Sequence, residues 1–149
     1  MKYLVTAVLA VGALLAAPQP AHAAGSSYNN TLPYETGCGS GAYVITSKAL
    51  PGGTASMVYS PRCGTNWMEW YGDARWTHKG MGFSRTSGWT TNEADKASWS
   101  YSRQIYAPGS TVAWGHITTV VSPSSPANAY QQEWYVKCGA TCSWIRGDH

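Results

Sequence analysis

The chain has 149 residues, of which 44% are hydrophobic and only 11% charged, and its formal net charge is +3 at pH 7. Its cations, Lys48, Arg62, Arg75, Lys79, Arg85, Lys96, Arg103, Lys137 and Arg146, are spread singly after Lys2, which excludes charge-driven gripping of nucleic acid as the main activity. The unusual feature is aromatic: eight Trp and ten Tyr stand beside one Phe, Phe83.

At the amino end, Lys2, the apolar stretch Leu4 to Ala17 and the small-residue pattern Ala21-His22-Ala23 form the three parts of a secretory signal peptide, which assigns residues 1–23 to a leader. The stretch is shorter than the ~20 residues a spanning helix needs, and no second one follows, so the reading is a secreted protein with no membrane span. Residues 24–149 then form a body of 126 residues, enough for one domain with a core and too few for two. Nine Lys and Arg against seven Asp and Glu leave that body at +2.

Residues 24–41, rich in Gly, Ser, Asn and Thr with Pro33, read as an extended arm, loose before its anchor at Cys38. Residues 42–149 read as a β-domain. Short β-prone runs at 43–46, 56–59, 66–71, 75–78, 98–106, 111–121 and 132–137 are cut by Pro51-Gly52-Gly53, Ser60-Pro61, Gly72-Asp73, Lys79-Gly80, Pro108-Gly109 and the Ser/Pro cluster at 122–126. Helical periodicity is confined to a single turn over 92–97. The fold class is therefore all-β, a small single-domain antiparallel sandwich or barrel.

The segment Tyr59-Ser60-Pro61-Arg62-Cys63-Gly64-Thr65-Asn66-Trp67 ends a strand at Pro61, which cannot continue a ladder, and turns through Gly64. It resembles the core of a family of short, exported actinobacterial domains of unknown function, in which an early Cys precedes a strand running into Tyr-Ser-Pro-x-Cys-x-x-x-Trp. Cys38, the run Ser56 to Tyr59, Cys63 and Trp67 match that order over roughly residues 34–72. The resemblance implies a Cys38–Cys63 bridge and a small β-fold; it brings no activity. The residues around Cys138 and Cys142 and the Trp144 tail depart from the family pattern.

Four cysteines, Cys38, Cys63, Cys138 and Cys142, in an exported chain favour two disulfides over zinc, since only one close pair exists. Of three pairings, the one joining sequence neighbours, Cys38 with Cys63 and Cys138 with Cys142, is preferred, because Gly139-Ala140-Thr141 lets the small ring close.

No nucleophile elbow, zinc helix, phosphate loop or calcium loop occurs, so the chain points away from an enzyme and calls for no cofactor or metal. The reading that remains is a secreted binding module for cell-envelope polysaccharide or a protein partner, with Trp67, Trp70, Trp76, Trp89 and Trp99 as the candidate rings and over half of all the aromatics expected in the core. Trp67 and Trp70, three apart on a strand, point to opposite faces. The alternative is a small hydrolase or toxin: if the strands carrying Trp76 and Trp114 are adjacent, His78 and His116 face each other beside Glu69 or Asp73 as an acid and base. A third reading makes Arg62 the tip of a protease-inhibitor-like loop, preordered by its disulfide. Nothing in the sequence speaks to oligomeric state.

Overall fold

The structure, a computed structural model, describes residues 25–120 and 131–147. The leader, the Ser/Pro cluster at 122–126 and His149 lie outside the described residues.

Eight strands and one 3-10 turn, Ser26–Tyr28, make up the described fold, and it holds no α-helix: β1 Tyr43–Leu50, β2 Gly53–Ser60, β3 Thr65–Gly82, β4 Glu93–Tyr101, β5 Ile105–Tyr106, β6 Ala113–Val120, β7 Gln131–Cys138 and β8 Cys142–Arg146. Every pairing is antiparallel, in the order β1-β2-β3-β6-β7-β8, with β4 and β5 also paired to β3. The ends of this path approach each other: Trp144 Nε1 on β8 donates to Thr46 Oγ1 on β1 at 3.1 Å, so the sheet is nearly closed into a barrel. Both disulfides form as Cys38–Cys63 and Cys138–Cys142, which agrees with an extracellular location. No helix among the described residues is long and apolar enough to cross a membrane.

The expected runs 66–71 and 75–78 are one strand, the 18-residue β3. A hairpin at Gly72-Asp73 would pair the two halves with each other, but each half finds a different partner. The first half pairs with β2 and the second with β6, and the Gly-Asp pair is absorbed as an irregularity between Tyr71 and Arg75 in the β4 ladder. Gly52 O accepts from Asp73 N at 2.7 Å, and Trp70 Nε1 donates to Asp73 O at 3.1 Å, which holds the bulge in place. Lys79-Gly80, expected as a separator, also lies inside β3. The turn of helix expected over 92–97 is strand β4 instead, since pairing along β3 supplies hydrogen bonds that an isolated helical turn cannot make cooperatively. The expected strand 98–106 breaks at Ser102, whose backbone N and Oγ engage Met68 O and N, leaving β5 as a two-residue pair with the start of β3.

Alternation along β3 packs two layers. Met68 and Trp70 point into the barrel with Ala55, Met57, Met81, Ile117 and Val136, all fully buried. Gly115 sits across from Met68, and a Cβ there would run into its thioether. Trp67 and Glu69 point outward, where the arm covers them: Tyr34 sets its ring edge-on against Trp67 at 6.0 Å. The arm is not extended and loose but wound into turns and tied before Cys38, with Asn29 Oδ1 accepting from Tyr106 N at 2.6 Å and Asn30 N donating to Gln104 O at 2.9 Å.

Candidate functional site

The five candidate indoles do not share a face. Trp67 and Trp70 are fully buried on opposite sides of β3, so the stacking role drawn for them is corrected: both are core residues with no free ring face. Trp89 lies half-buried against His116, and Trp76 and Trp99 stand 50% and 45% exposed. Burial goes to the rings of the sheet's central strand because both its faces are covered there, one by the barrel and one by the arm.

Around Trp99 the fold gathers a set of rings that single-residue reading of the Trp positions missed. Tyr71 on β3 and Trp99 on β4 are directly paired across the ladder, as are Glu69 and Tyr101, which puts all four side chains on one face. Tyr34 comes down from the arm, with ring centroids 5.1 Å from Trp99 and 4.7 Å from Tyr101, while Trp99 and Tyr101 are 5.2 Å apart. Tyr71 is 72% exposed and Tyr34 40%, so the patch presents π-faces and edges to solvent. Glu69 fixes it from below: its Oε1 accepts from Tyr34 OH at 2.5 Å and from Trp67 Nε1 at 2.7 Å. Burial and the hydrogen bond to Glu69 push the Tyr34 phenol well above its ordinary pKa. A groove of about 270 Å³ runs beside these rings, lined by Trp99, Tyr101, Leu32, Ser100, Glu93 and Asp95. The signal that would have found this site is cross-strand pairing of Tyr71 with Trp99, which needs the β3–β4 register.

On another part of the outer surface β3 and β6 are indeed adjacent. Gly80 faces His116 and His78 faces Thr118, which places both imidazoles on one face, two positions apart along the ladder. The acid beside them is neither Glu69 nor Asp73 but Glu133 on β7, opposite Thr118, with Tyr135 opposite His116. Tyr135 OH donates to Glu133 Oε1 at 2.9 Å, and the Arg85 guanidinium lies 4.9 Å over the Tyr135 ring. Trp89, on the segment between β3 and β4, packs over His116 at 4.8 Å between centroids. Burial lowers the His116 pKa to about 4, with Glu133 opposing and His78 adding to the shift, so the ring is neutral near pH 7. His78 stays exposed, its Nδ1 held by the Asn92 side-chain amide at 3.3 Å.

Arg62 is exposed in the turn between β2 and β3, directly before Cys63, where Gly64 N donates to Ser60 O at 2.8 Å and Gly64 takes a φ of 68°. A second cavity of about 400 Å³ opens at the barrel end between Tyr43, Tyr59, Asn66 and the Cys138–Cys142 ring. No group of three His, Cys, Asp or Glu among the described residues can hold a metal ion. Compared with family models, with curated proteins and with solved structures, the chain matches none of them, so the functional reading rests on the geometry of its own side chains.

Proposed function

We propose that this protein is a secreted, non-catalytic binding module whose ligand is a carbohydrate of the cell envelope, taken up on Trp99, Tyr71, Tyr34 and Tyr101 and in the groove beside them. The observation that carries the reading is the exposed cross-strand pair Tyr71 and Trp99 next to a groove lined by Trp99, Tyr101 and the Glu93 carboxylate. Pyranose rings offer apolar C–H faces that stack on flat aromatic side chains, and their hydroxyls donate to carboxylates. A patch held by Glu69 from beneath loses little freedom when a ligand arrives, which favours binding by preorganisation.

The test is retention of the protein on insoluble cell-wall polysaccharide, with quenching of Trp fluorescence on adding soluble fragments. Trp99→Ala and Tyr71→Ala are expected to abolish retention while leaving the fold intact. Retention unchanged in both variants, or none on any envelope material, overturns the reading.

One observation favours a second reading, a small hydrolase: β3–β6 pairing brings His78 and His116 to one face with Glu133. His116 is neutral, His78 is exposed beside it, and Arg85 supplies positive charge close by. This reading requires a hydrolytic activity that is lost in both His78→Ala and His116→Ala; an activity that survives either change excludes it.

A further inference from the structure

Inside the barrel, β3 carries a polar strip that neither reading uses. Lys79 is fully buried, an expensive position for an ammonium whose ion-pair partner, Asp95 on β4, is itself 37% exposed at the groove. The contacts form a closed triangle. Lys79 Nζ donates to Asp95 Oδ1 at 3.0 Å and to Thr77 Oγ1 at 2.7 Å, and Thr77 Oγ1 donates in turn to the same Asp95 oxygen at 3.3 Å. Thr77 lies opposite Asp95 in the ladder and is fully buried, so the three groups are held by the sheet rather than by a loop.

We infer that Lys79 and Asp95 condense into an intramolecular amide that staples β3 to β4. The amine nitrogen is held 3.0 Å from an oxygen of the carboxyl group whose carbon it attacks, so the two reacting groups are already brought together by the sheet. The balance closes within the triangle. One ammonium proton passes to the Asp95 carboxylate along the Nζ–Oδ1 hydrogen bond, leaving a neutral amine and a carboxylic acid. The Nζ–Cγ bond forms, and a second nitrogen proton moves through Thr77 Oγ1 to the departing hydroxyl. The Cγ–O bond breaks and one water leaves by the groove that Asp95 lines. No outside reagent is needed.

Two further features favour the reaction. Burial lowers the Lys79 pKa, against the opposing pull of Asp95 and Glu93, so the reactive neutral amine is more accessible than in water. The other neighbouring carboxylate, Glu93, lies opposite Lys79 in the ladder but is engaged by Arg103 Nε at 2.6 Å, which leaves Asp95 as the acceptor. The product is uncharged, so the cost of a buried ammonium disappears, and the link encloses the segment that carries Trp89.

The experiment is a tryptic digest of the folded wild-type protein after reduction and alkylation. An amide at Lys79 blocks cleavage there, so the expected product is a branched peptide joining residues 76–85 to residues 86–96, lighter than their sum by one water. Recovery of Trp76–Lys79 and Thr86–Lys96 as separate unmodified peptides overturns the inference. So does a loss of water without branching, as a cyclised Asp95 would give. Lys79→Arg keeps a cation in place but cannot form the amide, and a branched peptide surviving in that variant would place the link elsewhere.

Discussion

Two stretches of the barrel's outer surface are each capped by one aromatic from outside the sheet, and the outcomes are opposite. Over the first half of β3 the cap is Tyr34, on an arm bound by the Cys38–Cys63 disulfide and by hydrogen bonds to Gln104 and Tyr106. Over the second half it is Trp89, on a segment tied to β3 chiefly through Thr90, whose N donates to Met81 O and whose Oγ1 accepts from Met81 N. Tyr34 seals Trp67 into the core yet leaves its own ring, Trp99 and Tyr71 facing solvent, so the covered layer carries stability and the layer above it is the one proposed to meet a ligand. Trp89 instead lies over an ionisable ring, His116, whose burial lowers its pKa. A covering residue thus acts through what lies beneath it: an apolar ring gains burial, and an imidazole gains a shifted pKa.

The largest effect expected from breaking this contrast is at Trp67. Trp67→Ala removes a fully buried indole and leaves a cavity between sheet and arm, which costs about 3–5 kcal/mol in denaturant unfolding. Trp99→Ala, by comparison, is expected to cost below about 1 kcal/mol. Equal losses at the two positions would dissolve the distinction between core ring and surface ring.

Next in size is the arm's anchor. Replacing Cys38 and Cys63 by Ser opens a loop with a sequence separation of 25 and costs about 3 kcal/mol, against about 2 for the Cys138–Cys142 ring. Release of the arm also uncovers Trp67, read as a red shift of its fluorescence that the Cys138/Cys142 variant does not show.

The capped histidine makes stability depend on pH. Unfolded, His116 takes up its proton near pH 6.5, whereas folded it resists until about pH 4. The unfolded chain therefore binds the extra proton first, and stability falls as the pH drops through this window, by on the order of 3 kcal/mol in total. His116→Phe is expected to flatten that part of the stability profile, and Trp89→Ala to move the His116 titration, followed by NMR, back towards 6.5. A His116 titration unmoved by loss of Trp89 would show that the indole is not the cause.

The smallest stability effect belongs to Arg62→Ala. The side chain is exposed and its turn is held by Cys63 and Gly64, so the change is expected to stay within about 0.5 kcal/mol in thermal unfolding. A larger loss would mean that this turn depends on the guanidinium.

Much of the strand pattern was legible in local sequence. The runs at 43–46, 56–59, 111–121 and 132–137 each mark an observed strand to within a few residues, because β-branched and aromatic runs bounded by Pro and Gly carry their own signal. Gly72-Asp73 was misread because the same residues suit a hairpin and a bulge, and only the partners available to each half of β3 choose between them. The helical turn at 92–97 failed for the related reason that a polar segment takes the conformation its neighbour's free ladder offers. Of the rings at the candidate site, Trp99 stood among the five candidate indoles, but Tyr34 and Tyr71 did not, since they reach the patch from an arm and across a ladder.

The local pattern of β-prone runs and turn residues, with the composition and the cysteine count, determined that this is an all-β, disulfide-bonded, aromatic-rich domain, because propensity and cross-linking chemistry act over short stretches of chain. Which indoles are swallowed and which meet solvent, which acid stands beside His116, and that Lys79 lies against Asp95 were decided only by tertiary structure. Those outcomes hinge on register and coverage, and a shift of one residue along a strand turns every side chain to the other face.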